Sequence, residues 1–226
     1  TVTIAGMKMV ANIMVPVIVA LLLNEMEREG MKRVVQTTIY LPHFISWVIL
    51  GGVFVDLLSP STGIVNRALG LFGIEPIFFL ADNRWFRFAL VGMDVWKNFG
   101  FGTVVYLAAI TGIDPTLYEA AMADGAGYLR RAWHITIPGM LPIIILVTVL
   151  NLSNLLNAGF DQIFNMYNPV VYKTGDIIDT FVYRIGIVDA RYSLATAVGL
   201  FKSVISAVLV STSYYVSYRF ANYRIF

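Results

Sequence analysis

Cysteine is missing from all 226 residues, which removes disulfide frameworks and thiolate metal sites and leaves the redox compartment unreadable. Histidine is nearly missing too: His43 and His134 stand far apart in the chain, so a histidine-rich metal centre fails, as does a convergent nucleophile–base set for an enzyme. Charge is scarce. Asp, Glu, Lys and Arg make up 13% of the chain, against roughly a quarter in soluble domains. So few charges cannot cover a water-facing surface. The net charge of +2, with no Lys/Arg cluster longer than two residues, excludes a nucleic-acid footprint. No glycine-lysine phosphate loop is present, so the chain is not expected to bind ATP itself. What remains is apolar: 58% of residues are hydrophobic and mean hydropathy is +0.74. The opening residues lack both an initiating Met and a basic segment followed by a cleavage site, and read like the inside of a fold rather than a signal peptide.

Apolar stretches long enough for a hydrocarbon core of about 30 Å run over residues 2–23, 38–58, 86–111, 139–157 and 193–217. The spacing predicts five membrane spans in one helical bundle. By alternation, Arg28, Lys32, Arg33, Arg130, Arg131, Arg219 and Arg224 share one side, and Arg67, Arg84, Lys173, Arg184 and Arg191 the other. The bias makes the first side cytoplasmic. Residue 1 then starts on the outer side, which points to an earlier helix missing from the sequence.

Lys8, Asp56, Asp94, Lys97 and Lys202 fall within or near the spans, where a lipid-facing charge is expensive. They are expected to face protein or water. Asp94 and Lys97, three residues apart, can share a helical face and compensate each other. In the fourth span Asn151, Asn154 and Asn157 recur every three residues beside Ser153, a polar stripe that must turn inward, either to join helices or to meet a ligand. Amides suit vicinal hydroxyls. Trp47 and Trp85 read as interface anchors, whereas Trp96, beside Lys97 and Asn98, is a candidate for stacking on a sugar ring.

The connection 112–138 reads GIDPTLYEAAMADGAGYLRRAWHITIP. Asp114 is a good N-cap and Pro115 fits the first helical position, so a short helix is expected through Asp124, with Gly125 and Gly127 interrupting it. Such a helix, with Glu119 exposed and Ala120 and Ala121 allowing close approach, either docks into a cleft on another protein or is an ordinary connector.

Glu119-Ala120-Ala121, then Asp124-Gly125-Ala126, then Ile135-Thr136-Ile137-Pro138 resemble the EAA loop of binding-protein-dependent ABC importer permeases, with Ile137 where Leu is usual. The elements Tyr40–Ser46, Trp96–Ile110, Val182–Gly186 and Tyr192–Phe201 resemble the carbohydrate-uptake branch, so the likeness covers nearly the whole chain. It implies an all-α polytopic bundle of the type I, MetI-like permease fold: one transmembrane domain over residues 1–226, lacking the first of six core helices, with a coupling-helix loop at 112–138. It implies a non-catalytic subunit in a bacterial inner membrane, importing a carbohydrate, with no cofactor of its own. Expected partners are a second, nonidentical permease, two ABC ATPases carrying ATP and Mg, an extracytoplasmic solute-binding protein and a saccharide. The ATPase-coupling set is Glu119, Ala120, Ala121, Asp124, Gly125, Ala126, Ile135, Ile137 and Pro138. The substrate path is expected at Asn151, Asn154 and Asn157, with Phe160, Trp96 and Lys97, and outer contacts at Tyr172, Asp176 and Asp179. If Lys8, Lys97 and Lys202 line the path, an acidic, alginate-like oligomer fits; Asp56 and Asp94 leave a neutral one open. The alternative is a permease for amino acids or another small solute.

Overall fold

The structure is a computed structural model that describes residues 1–26 and 28–221, so Arg224, counted above for charge asymmetry, lies outside the described residues. Twelve α-helices occur among the described residues, joined by turns, with no strand. α1 (Val2–Asn24), the continuous helical stretch Tyr128–Ser153 and Tyr192–Tyr215 are each long and apolar enough to cross a membrane. Two broken pairs, Glu29–Phe44 with Trp47–Leu57 and Phe86–Thr111 with Pro115–Ala123, raise the number to as many as five.

The first break differs from the expectation of an unbroken span over 38–58 and has a local cause, whereas the second falls after residue 111, where a span was expected to end. α2 (Glu29–Tyr40) tightens into a single turn at Leu41–Phe44 around Pro42, and Ser46 then restarts α3 (Trp47–Leu57) by accepting a hydrogen bond from the Ile49 N–H at 3.4 Å. The stretch 38–58 is therefore two helices. α4 (Ile64–Gly70) sits in a connection pinned by buried Asn66, whose Nδ2 donates to the Leu58, Ser59 and Ile77 carbonyls while its Oδ1 accepts from the Ile77 N–H at 2.8 Å. α5 (Phe86–Thr111) runs as expected, and the chain then bends by 73° into α6 (Pro115–Ala123).

The fourth span begins earlier and ends earlier than its hydropathy implied. α7 (Tyr128–Arg131) passes through a widened turn at Ala132–Thr136 into α8 (Ile137–Ser153). Ile137 N–H reaches back five residues to the Ala132 carbonyl, and this widening accommodates Pro138, whose ring would otherwise press on the carbonyl four residues before it. At the far end Asn151 Nδ2 and Ser153 Oγ bond back to the Val147 and Val149 carbonyls. Side-chain competition of this kind weakens a helix, and α8 stops at Ser153. Asn154 and Asn157 thus lie in the following turn, and the three-residue stripe does not exist on one helix. α9 (Phe160–Met166), α10 (Tyr172–Gly175) and α11 (Ile178–Tyr183) are short, and α12 (Tyr192–Ala221) closes the described chain.

Two compact units result. The first comprises residues 1–8, 44–95 and 154–209, and packs Ile4, Phe86, Leu90, Ile163 and Val171 into a core. The second comprises 9–43, 96–153 and 210 onward, with Ala20, Tyr106, Ile110 and Met140 at its centre. In the second unit α5 approaches α2 so closely that a Cβ on Gly100 would lie 2.0 Å from the Ile39 carbonyl oxygen. Backbone cannot yield as a side-chain tip does. Gly100→Ala is therefore expected to destabilise the purified protein by about 2 kcal/mol or more, read as a lower melting temperature in detergent. Gly92→Ala, where a Cβ meets nothing within 4 Å, should leave the melting temperature in place.

Candidate functional site: a coupling loop and a polar cavity

Several residues of the 112–138 loop have a geometric task. Asp114 caps α6 by accepting from the Thr116 N–H at 2.9 Å, and that bond holds its carboxyl below the usual carboxylate range. The helix ends in a left-handed residue, Gly125, at φ +74°. Gly125 N–H bonds the Met122 carbonyl at 3.0 Å and Ala126 N–H bonds the Ala121 carbonyl at 2.8 Å, the paired closure that favours glycine at this position. Asp124 sits at the C-cap, with its N–H on the Ala120 carbonyl at 3.0 Å. No residue of α6 is buried, and Glu119, Ala120, Leu117 and Met122 are all exposed. The helix presents its surface without packing it.

Two contacts hold this loop in place, one within it and one to the end of α1. Tyr118 OH donates to Thr136 Oγ1 at 3.0 Å, and Thr136 is buried in the widened turn that leads into α8. Arg131 pairs with Glu25, just past the end of α1, at 3.6 Å. Ile135 and Ile137 are half-buried around that turn, and Pro138 is exposed.

In the same unit lies a cavity of about 310 Å³ lined by Asn12 of α1, His43, Asn98, Phe101 and Tyr106 of α5, and Asn151 of α8, among others. The turn that carries His43 is held by Lys97, whose Nζ donates to the His43 carbonyl at 2.5 Å and the Pro42 carbonyl at 3.4 Å. His43 Nδ1 lies 3.0 Å from Asn98 Oδ1, and its ring stacks on Phe101 at 4.3 Å with an interplanar angle of 5°. Tyr106 is 1% exposed, and its hydroxyl is buried with no hydrogen-bond partner. A buried hydroxyl left unmatched costs about 1–3 kcal/mol, so something polar is expected to reach it.

Of the path residues inferred from sequence, Asn151 lines this cavity. Lys97 acts behind it, on the turn, and Trp96 is half-exposed outside its lining. Asn154, Asn157 and Phe160 belong to the other unit: Asn157 Oδ1 accepts from Lys202 at 3.0 Å, and Phe160 stacks with Phe164 at 5.1 Å. Asn12, His43, Asn98, Phe101 and Tyr106 escaped the sequence reading. Asn98 stood beside Trp96 and Lys97 and could have been taken with them, whereas Tyr106 looks like an ordinary aromatic in an apolar run.

Apart from Asp56, the charges singled out in the spans are matched within the protein. Lys8 Nζ lies 3.3 Å from Asp94, bonds the Ala158 carbonyl at 2.8 Å and contacts Gln162 Oε1, while Gln162 Nε2 donates to the Leu90 carbonyl at 2.8 Å. Asp94 thus has Lys8 on α1 as a partner, which the expected Asp94–Lys97 pair did not include. Lys202 pairs with Asp179 at 2.5 Å. Asp176 pairs with Arg184, whose guanidinium covers the Tyr172 ring at 4.4 Å, so the three expected outer contacts are engaged with their own unit. Asp56 is exposed at the end of α3.

Comparison with known proteins identifies the family. Residues 12–224 match the family described as binding-protein-dependent transport system inner membrane component. LplB of Bacillus subtilis (strain 168) is 41% identical over 220 residues, covering 97% of this chain and 69% of LplB. From the same organism, the polygalacturonan/rhamnogalacturonan transport system permease protein YteP is 42% identical over 196 residues, covering 87% of this chain and 61% of YteP. A crystal structure of a bacterial alginate ABC transporter, in complex with an alginate pentasaccharide-bound periplasmic protein, contains a similar chain: TM-score 0.92, 40% identity, 99% of this chain and 77% of that one. This chain belongs to the binding-protein-dependent transport system inner membrane components, the membrane-embedded permease subunits of ABC importers.

Proposed function

We propose that this chain forms part of the membrane path of an importer for oligosaccharides, with acidic chains of the alginate kind as the substrate class. The observation that carries the reading is the cavity in the same unit as the coupling loop: amides of Asn12, Asn98 and Asn151, a flat His43–Phe101 surface and an unmatched buried Tyr106 hydroxyl. Amides and a hydroxyl pair with sugar hydroxyls, and an aromatic surface accepts the apolar face of a sugar ring. A volume of about 310 Å³ is at the small end of ligand sites, which run roughly 300–1,000 Å³, so it takes part of a chain rather than the whole. The lysines do not supply the preference for acidic chains, because Lys8 and Lys202 already have carboxylate partners. That preference rests on relatives whose named substrates are polygalacturonan/rhamnogalacturonan and the acidic polysaccharide alginate.

The partners in this reading are a second, nonidentical permease, two ABC ATPases that hold ATP and Mg, and an extracytoplasmic solute-binding protein. α6, through Glu119 and its alanines, seats on one ATPase. Its displacement reaches the cavity through both ties described above: Tyr118–Thr136 leads into α8 and Asn151, and Arg131–Glu25 leads into α1 and Asn12. Two walls of the cavity then answer to one helix, and nucleotide state biases them between two arrangements. Glu119, Ala120, Ala121, Asp124, Gly125, Ala126, Ile135, Ile137 and Pro138 build that joint, while Lys97 supports the path by holding the turn that carries His43.

Four variants of the reconstituted complex test the reading. Glu119→Lys should abolish stimulation of ATP hydrolysis by loaded binding protein while insertion into the membrane stays normal; preserved stimulation would refute the docking role. Tyr118→Phe should keep the ATPases bound yet lower the transport achieved per ATP hydrolysed. Asn151→Ala should raise the half-saturating saccharide concentration about tenfold, the loss of one good hydrogen bond. Tyr106→Phe should raise the melting temperature without substrate and still slow uptake. Unchanged uptake in both cavity variants would remove the site.

A further inference from the structure

The segment between the coupling helix and α8 carries a second concave surface. A cavity of about 370 Å³ is walled by Ala121, Ala126 and Ile135 and lined by Arg130, Arg131, His134 and Asp124. Two guanidiniums and an imidazole face one carboxylate there. Glu25 takes part of the charge of Arg131, but Arg131 Nε–H is buried with no acceptor, and Arg130 and His134 are exposed. His134 Nδ1 lies 3.0 Å from the Arg130 carbonyl, which fixes the imidazole one turn beyond Arg130 on the same face.

The neighbouring face of the same helical stretch is apolar and bare. Leu129 is 79% exposed and Trp133 70%, four residues apart and so stacked along one side of the helix. This stretch is continuous with the apolar span Tyr128–Ser153, so its first turns stand where a helix leaves the hydrocarbon. A tryptophan and a leucine at that depth match the boundary of a bilayer, and basic side chains beside them match its phosphates.

The geometry points to a binding site for the headgroup of an anionic phospholipid in the leaflet on the coupling-helix side, with Arg130, Arg131 and His134 on the phosphate and Leu129 and Trp133 against the acyl boundary. An acidic patch on the ATPase is the rival occupant. The lipid is favoured because the cations adjoin an exposed apolar face that runs into a membrane span, which a water-facing docking surface does not need. The site abuts Ala121, Asp124 and Ala126 of the coupling loop, so a lipid there braces the loop from its membrane side.

The test uses the intact transporter complex, purified from a mixture of phosphatidylglycerol and phosphatidylcholine, with retained lipid counted by mass spectrometry. Wild type should retain phosphatidylglycerol preferentially. Arg130→Gln should lower the retained ratio about fivefold, the effect of one cation near a charged membrane surface, and Arg130→Lys should restore it. Excess inorganic phosphate should leave the retained lipid in place; its displacement by phosphate would assign the site to a soluble anion and overturn the proposal. A ratio unchanged by Arg130→Gln would also overturn it, as would loss of bound ATPase from that variant with the lipid ratio intact. Independently of folding in any arginine variant, phosphatidylglycerol brominated near the headgroup should quench a tryptophan emission component that Trp133→Phe removes, and brominated phosphatidylcholine should quench it less. Equal quenching by the two lipids would refute the site.

Discussion

A helix that breaks inside a membrane leaves carbonyl oxygens with no water to meet them, and the fold depends on how those oxygens are answered. Here buried lysines answer at two breaks. Lys97 covers the Pro42 and His43 carbonyls where α2 gives way to a tight turn, and Lys8 covers the Ala158 carbonyl beyond the end of α8. A cation placed on orphan carbonyls meets the negative end of the peptide dipoles and is itself matched by them. Asp94 and Gln162 complete the arrangement around Lys8, and Lys202 draws the Asn157 amide into its pair with Asp179. Charges that hydropathy marks as costly are thus what make irregular backbone tolerable at these positions.

The coupling loop works by a different economy. The residues that shape it carry no chemistry of bond making. Asp114 starts a helix, Gly125 ends it by taking a left-handed conformation, Thr136 anchors it through Tyr118, and the widened turn makes room for Pro138. Glu119 is left on the surface of a helix that buries nothing of its own. Such a helix gains little by lying against its own chain, and its outward side is suited to a partner protein.

The polar cavity and the loop belong to one compact unit, and the same elements serve both. Lys97 secures the turn that presents His43; His43 is fixed by Asn98 and Phe101; Asn12 and Asn151 come from helices that the loop holds at their ends. Short contacts, Tyr118–Thr136 and Arg131–Glu25, join the loop to the helices that carry two walls of the cavity.

Much of this was legible in order along the chain. Hydropathy located α1, α5 and α12, because apolar length is a property of consecutive residues. Asp114, Pro115 and Gly125 announced both ends of α6, because capping acts over a few positions. The end of α8 was misplaced, because Asn154 and Asn157 keep helical spacing as letters while the side chains of Asn151 and Ser153 compete for the backbone just before them. The break at Leu41–Phe44 was hidden within an apolar stretch that is long enough to span. Lys8 finds its partners 150 residues away and Lys97 finds its own more than 50 away. Local pattern determined which segments are apolar enough to meet lipid, where α6 begins and ends, and the family to which they point. Only tertiary structure decided which polar groups meet, because pairing inside a bilayer depends on distance in space, and distance in space is not encoded by any spacing along the chain.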